Sequence, residues 1–294
     1  MTTNSRDNLR RTVVAALTAA LAATTPALAL AAPASAQPGG IEYVNLGDSF
    51  SAGSGVFPVV SGLPPECWQS ERNFAHIVAA ELGYRLTDVS CGGAKTEDFY
   101  KPQYSGTGAQ LDALSPATEV VTVMIGGNNN DTFAGAMASC IGAAVTNPGA
   151  YDPCKARYGD SLSEPVVSQT YPALVRALDD IHARASHARV FVVGYPWLMP
   201  PSDGCFQEPI APGDVPYLRD LQATLNDAAR RAAAETGTTF VDMAAVSEGM
   251  DSCGPVGQRW IEPMLFSAQL VPVHPNADGE RALAREVINA IENR

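Results

Sequence analysis

The sequence predicts an α/β fold built on a parallel sheet within a single domain. Two observations carry that prediction. Short apolar runs recur at 43–46, 119–125 and 189–194, with weaker ones at 85–90 and 239–241. Strands buried on both faces read as such near-continuous runs. Between them, at 73–82, 164–185, 217–235 and 276–292, apolar residues fall at helical spacing. Strands that alternate with helices make parallel crossovers, and no internal repeat interrupts them.

The first 36 residues precede all of these elements and read as an export signal. Arg10-Arg11 comes before an Ala/Leu/Val run, and Ala34-Ser35-Ala36 has the small-residue pattern of a cleavage site. The paired arginines suit the twin-arginine route, although Thr12-Val13-Val14 matches that signal poorly. A membrane anchor is the competing reading. Ala, Thr and Pro dilute the run, and no later stretch approaches the ~18 apolar residues a span needs. The expected organisation is therefore a signal peptide at 1–36 and one domain at 37–294, secreted and without a stable membrane anchor.

The chain's 19 basic and 31 acidic residues give a formal net charge of −12. The leader holds Arg6, Arg10 and Arg11 but only Asp7, so the remainder is more acidic still. Such a balance argues against nucleic acid or an anionic membrane as an electrostatic partner. A monomer acting on a small molecule or lipid is expected. The six cysteines, Cys67, Cys91, Cys140, Cys154, Cys205 and Cys253, favour three disulfides in an exported chain. Sequence alone allows 15 pairings of six. Neighbour pairing is expected, because each bridge would close a loop between core elements.

The strand at 43–46 ends in Gly47-Asp48-Ser49-Phe50. A serine at the end of a buried strand, on a glycine turn, projects its hydroxyl from the sheet edge where α/β active sites form. It is a nucleophile only if a base and an oxyanion site accompany it. A second Gly-Asp-Ser occurs at Gly159-Asp160-Ser161. No buried strand precedes it, and Ser161 with Glu164 has the spacing of a helix-capping box. Ser49 is the candidate nucleophile.

Four histidines compete for the role of base. His76, His182 and His187 lie on or beside helical patterns, and they do not form a metal-binding pattern. His274 alone sits in a loop, with Pro275-Asn276 opening the last helix, and a loop position held by a rigid element suits a general base. No metal or other cofactor is expected.

With Ser90-Cys91-Gly92-Gly93-Ala94 and Gly126-Gly127-Asn128 added, four blocks resemble those of the SGNH hydrolases, the GDSL esterase/lipase family. They occur in family order. The resemblance implies a flavodoxin-like three-layer α/β/α sandwich and a carboxylic ester hydrolase. Ser49 and His274 would be its catalytic pair, and the N–H groups of Ser49 and Gly93 with the amide of Asn128 its oxyanion hole. The α/β-hydrolase alternative lacks the G-x-S-x-G elbow around Ser49.

Three departures stand out. The family often places Asp three residues before its His; here that position is Val271, so a Ser–His dyad oriented by the Val271 backbone carbonyl is expected. Asn129 replaces the Asp of the third block, with a small effect expected. Lys95 follows the oxyanion glycine, where a solvated side chain is expected. The export signal, cysteines and long loops further resemble the secreted actinobacterial lipase/esterase branch.

Long irregular stretches are expected at 53–71, 98–116, 146–163 and 243–273, and loops of this length are usually functional or pinned. Their Val56, Phe57, Trp68, Trp260, Leu265 and Phe266 either line an acyl pocket or pack the loops down. The leading function is a secreted lipase or esterase, with phospholipase activity included. Alternatives are a deacetylase of acetylated carbohydrate and an inactive secreted binding protein.

Overall fold

A computed structural model describes residues 40–293. The expected signal peptide lies outside them. The strands are β1 (Glu42–Gly47), β2 (Arg85–Asp88), β3 (Val120–Met124), β4 (Arg189–Val193) and β5 (Thr239–Val241). They form one sheet in the order β2-β1-β3-β4-β5, parallel throughout. This is the flavodoxin-like order, which reverses direction between β1 and β3.

The helices are α1 (Ser49–Ala52), α2 (Phe74–Leu82), α3 (Thr132–Thr146) and α4 (Pro153–Tyr158), then α5 (Tyr171–Arg184), α6 (Asp214–Glu235), α7 (Met243–Val246) and α8 (Ala277–Glu292). Right-handed crossovers decide which face each covers. β1 to β2 steps one way across the sheet and β3 to β5 the other, so α2 and the α5/α6 pair lie on opposite faces. α2 packs on α8, and α5 and α3 pack on α6. The result is a three-layer α/β/α sandwich.

Burial follows from this layering. Every residue of β3 is buried, as are Tyr43–Gly47 of β1, because both strands have helices above and below. β2 lies at the sheet edge and alternates exposed and half-buried residues, which explains why its run is the weakest in sequence.

Several elements depart from the sequence pattern. The helix expected from 164 begins at Tyr171, after a wide turn over Val166–Thr170. Pro172 cannot donate a backbone hydrogen bond and belongs in a first turn, so the regular helix starts there. α4 and α7 fall inside stretches expected to be irregular. α3 lies outside the helical patterns of the sequence, because its Ala/Gly-rich run carries little amphipathic signal.

Candidate active site

The loops after β1 and β3 flank the point where strand order reverses, where open α/β sheets hold their ligands. Ser49 follows β1 directly, at the first position of α1. Asp48 caps that helix, its carboxylate accepting from the N–H of Phe50 at 3.0 Å. Gly47 makes the turn possible. Its φ is 141°, and a Cβ there would lie 2.3 Å from the Met124 carbonyl oxygen and 2.7 Å from Ser51. Any other residue would break the junction of β1 with β3.

Gln110 clamps Gly47 through both of its backbone polar groups. Its Oε1 accepts from the N–H of Gly47 at 2.8 Å, and its Nε2 donates to the Gly47 carbonyl at 2.9 Å. Gly47 O also accepts from the N–H of Cys91 at 3.1 Å, so the second block is tied to the first. A disulfide joins Cys91 to Cys67. The other two disulfides join Cys140 to Cys154, between α3 and α4, and Cys205 to Cys253.

His274 reaches Ser49 from the opposite end of the chain. Its Nε2 lies 2.7 Å from Ser49 Oγ, and its Nδ1 lies 2.8 Å from the Pro272 carbonyl oxygen. A carbonyl only accepts, so Nδ1 carries the proton and Nε2 is free to accept from the serine hydroxyl. Burial pushes the imidazole below its ordinary value of 6.5, against the raising effect of the Pro272 bond, and so favours the neutral base.

The carbonyl that meets His274 Nδ1 belongs to Pro272, not to Val271 as expected. Val273 adopts φ 57°, a left-handed turn that folds the chain back so that the carbonyl two residues before His274 meets the ring. The Val271 carbonyl instead accepts from Gln269 Nε2 at 3.0 Å. Among the described residues no side-chain carboxylate hydrogen-bonds to His274. The histidine is held by an antiparallel bridge, with Glu262 N–H donating to His274 O at 3.0 Å and Val273 N–H to Glu262 O at 2.8 Å. Its ring packs on Phe50, centroids 4.8 Å apart.

Ser49 is the first residue of a helix, where an N–H has no intrahelical partner, and neither its N–H nor that of Gly93 bonds another backbone carbonyl. Gly93 sits at φ 75°, and the nearest atom to an added Cβ would be 3.6 Å away. Conformation rather than crowding by the protein therefore calls for glycine there. Asn128 lines the same hollow as Ser49, and its Nδ2 also reaches the Ala94 carbonyl at 3.1 Å. Asn129 pins the neighbouring loop, accepting from Thr96 N–H at 3.0 Å and donating to Thr96 Oγ1 at 2.6 Å. Lys95 makes a loose surface contact with Asp131 at 3.4 Å.

Tyr195 had no signal in the sequence. Its buried hydroxyl donates to Asp48 at 2.5 Å and accepts from Gly127 N–H at 2.9 Å, linking the serine turn to the Asn128 turn. Burial raises Asp48 to about 7, against the lowering effect of the Tyr195 bond and of backbone donors.

A cavity of about 270 Å³ opens beside Ser49 and His274. α3 supplies one wall through Phe133, Ala134, Met137, Ala138 and Ile141, and Leu198, Met264, Pro272 and Val273 complete it. None of the six loop residues weighed as acyl-pocket candidates lines it. Val56 is buried in the fold and Trp260 packs against the core, whereas Phe57, Trp68, Leu265 and Phe266 stand in solvent. The wall lies on α3 because the Asn128 turn runs straight into that helix.

The other candidates lie elsewhere. His76 contacts Asn73 at 3.0 Å on α2, and His182 contacts Thr238 at 2.9 Å. Ser161 sits in an exposed turn (Gly159–Leu162), its hydroxyl donating to the Tyr158 carbonyl at 2.6 Å. It forms no capping box there.

A half-buried hydroxyl facing a neutral imidazole, with free N–H donors and an apolar hollow alongside, can carry acyl transfer. Residues 46–282 match the model of the GDSL-like lipase/acylhydrolase family. A lipase 2 of Streptomyces coelicolor is 52 % identical over 263 residues, covering 88 % of each chain. An esterase of Streptomyces scabiei is 30 % identical over 99 % of each chain. Among solved structures, phospholipase A1 from Streptomyces albidoflavus superposes with a TM-score of 0.71 at 26 % identity, over 85 % of this chain and 99 % of that one. The extracellular lipase of Streptomyces rimosus shares the fold, with a TM-score of 0.68 at 24 % identity over 85 % of this chain and 98 % of that one. The chain belongs to the GDSL-like lipase/acylhydrolase family and is a carboxylic ester hydrolase.

Proposed function

We propose that this is an exported lipase or esterase whose Ser49–His274 dyad cleaves esters of apolar acyl chains. The 2.7 Å contact between Ser49 Oγ and His274 Nε2, at the mouth of an apolar cavity, carries the reading. Ser49 Oγ attacks the ester carbonyl while His274 Nε2 takes its proton. The resulting imidazolium is steadied by Nδ1–H donating to Pro272 O. The oxyanion lies among the N–H groups of Ser49 and Gly93 and the Asn128 amide. Collapse breaks the ester bond, and His274 returns the proton to the departing alcohol. Water then attacks the acyl-serine by the same route, releasing the acid and restoring the hydroxyl.

The cavity lining favours acyl chains over sugars. Phe133, Met137, Ile141, Leu198 and Met264 offer no hydrogen bonds to carbohydrate hydroxyls, whereas each buried methylene of an acyl chain gains ~0.8 kcal/mol. Phospholipase activity falls within this reading, since phospholipase A1 from Streptomyces albidoflavus shares the fold.

Cleavage after Ala36 and action outside the cell are part of the proposal. The leader's composition and three disulfides support them. Ser49 and His274 come from one chain, so a monomer suffices. Rates on a series of acyl esters and on acetylated polysaccharide test the substrate class. A rise in kcat/KM from acetyl to longer acyl chains is expected. Acetyl release from the polysaccharide alone would overturn it.

A further inference from the structure

The surface changes character beside the cavity. Segment 263–273, which leads into His274, carries no charged residue in a chain of net charge −12. Its Met264, Pro272 and Val273 line the cavity. Its Leu265, Phe266 and Leu270 are 42 %, 77 % and 69 % exposed. An adjoining loop adds Phe206, 76 % exposed, with its ring centroid 5.8 Å from that of Phe266. Scattered apolar residues are ordinary on a surface, but four large ones on two joined loops at a cavity form a patch that calls for a partner.

Both loops are held in place. Leu265 N–H donates to Gln207 O at 2.9 Å, and Met264 N–H to the buried Glu208 carboxylate at 3.1 Å. Ala268 N–H donates to Glu262 at 2.9 Å, and the Gln269 side chain donates to the carbonyls of Val271, His274 and Pro275. Cys205, next to Phe206, is bridged to Cys253. Phe266 is fixed at φ 61°, a left-handed conformation that bulky residues avoid. A strained backbone that keeps an aromatic ring in water adds nothing to the core, and such strain gathers at functional segments.

We propose that Phe206, Leu265, Phe266 and Leu270 form a preformed platform that docks on an uncharged or zwitterionic lipid surface and sets the cavity mouth against it. The platform is continuous with the cavity through Met264, Pro272 and Val273, so a lipid leaving the surface meets the cavity without crossing water. Aromatic and aliphatic side chains of this kind enter the boundary between headgroups and acyl chains. Charge selects the surface. With no Lys or Arg in 263–273 or 204–207 and an acidic chain overall, anionic headgroups offer no attraction. This inference rests on the proposed acyl-ester reading of the cavity.

Flotation with phosphatidylcholine vesicles tests it, using the Ser49→Ala protein so that nothing is hydrolysed. Binding that salt does not weaken and that phosphatidylglycerol reduces is expected. Adding Phe206→Ser, Phe266→Asn and Leu270→Ser should cut binding about tenfold or more, the scale of losing several inserted side chains. Asn suits the left-handed position, so the backbone keeps its conformation. In the active enzyme the same three changes should leave a dissolved short ester within about twofold and slow an emulsified long-chain ester about tenfold. Phe206→Ser alone, on the separate loop, should give a smaller loss in the same direction and serves if the triple variant does not fold. Absence of vesicle binding by the Ser49→Ala protein would overturn the platform. So would unchanged binding by the variants, which would leave a protein as the occupant, or equal losses on dissolved and emulsified esters. Failure of the wild-type enzyme on the dissolved ester would strike the Ser49 reading instead, because flotation needs no turnover.

Discussion

Gly-Asp-Ser occurs twice in this chain, at 47–49 and 159–161, in surroundings that share almost nothing. At the first, a buried strand ends in a glycine with φ 141°, Gln110 grips the glycine peptide, and His274 stands 2.7 Å from the hydroxyl. At the second, the serine lies in an exposed turn and spends its hydroxyl on the carbonyl of Tyr158. The letters are equal, so the difference lies in what the backbone brings to them. What sets the proposed nucleophile apart is a strand end together with Gln110 and His274, not a tripeptide.

The sharpest way to break the comparison is to remove each serine in turn. Ser49→Ala and His274→Ala are each expected to lower kcat by about four orders of magnitude or more, as for other serine hydrolases, with the fold retained. Ser161→Ala should change nothing measurable in kcat or Tm. Asn128→Ala, which removes one proposed oxyanion donor, should lower kcat about 10²–10³-fold with little change in KM.

Next come the residues that make the first context what it is. Gln110→Ala strips the buried Gly47 N–H of its side-chain acceptor and leaves the Gly47 carbonyl with only the Cys91 N–H. It is expected to lower stability by about 1–3 kcal/mol in a denaturant titration and to lower kcat more than KM. Tyr195→Phe should cut the link between Asp48 and Gly127 with a milder loss of the same kind. Pro272→Ala keeps the backbone carbonyl and should retain activity within a few-fold; a loss matching His274→Ala in a folded protein would refute the orienting role.

The pH dependence gives the smallest effect and the clearest sign. Burial favours neutral imidazole, so the acid limb of kcat/KM is expected to have its midpoint below the ordinary 6.5 of histidine. Asp48 acts on stability in the other sense. Its folded-state value of about 7 lies above that of an unfolded carboxyl, so the folded protein holds the extra proton. Its contribution is fully present below the ordinary carboxyl range and is lost as pH rises to about 7. Asp48→Asn should flatten the stability profile between those limits.

Much of this architecture was legible in the sequence, for physical reasons. β1, β3 and β4 have helices on both faces, so their apolar runs are near-continuous. The blocks around Ser49, Gly93, Asn128 and His274 each sit where a turn leaves a strand or enters a helix, and turn chemistry is local. What stayed hidden depends on distance in the chain or on one dihedral angle. Gln110 lies 63 residues from Gly47 and Tyr195 147 from Asp48, and nothing local marks either as a partner. α3 forms the cavity wall with an Ala/Gly-rich sequence whose period is faint. Pro272 replaced Val271 because Val273 turns left-handed, an arrangement no β-branched residue announces.

One measurement reaches the centre of the account. A fluorophosphonate that traps activated serines would be incubated with the enzyme, and the modified peptide located by mass spectrometry. Label on Ser49 alone is expected, with labelling abolished in His274→Ala and unaffected in Ser161→Ala. Label on Ser161, or modification of the Ser49→Ala protein at the wild-type rate, would contradict the assignment.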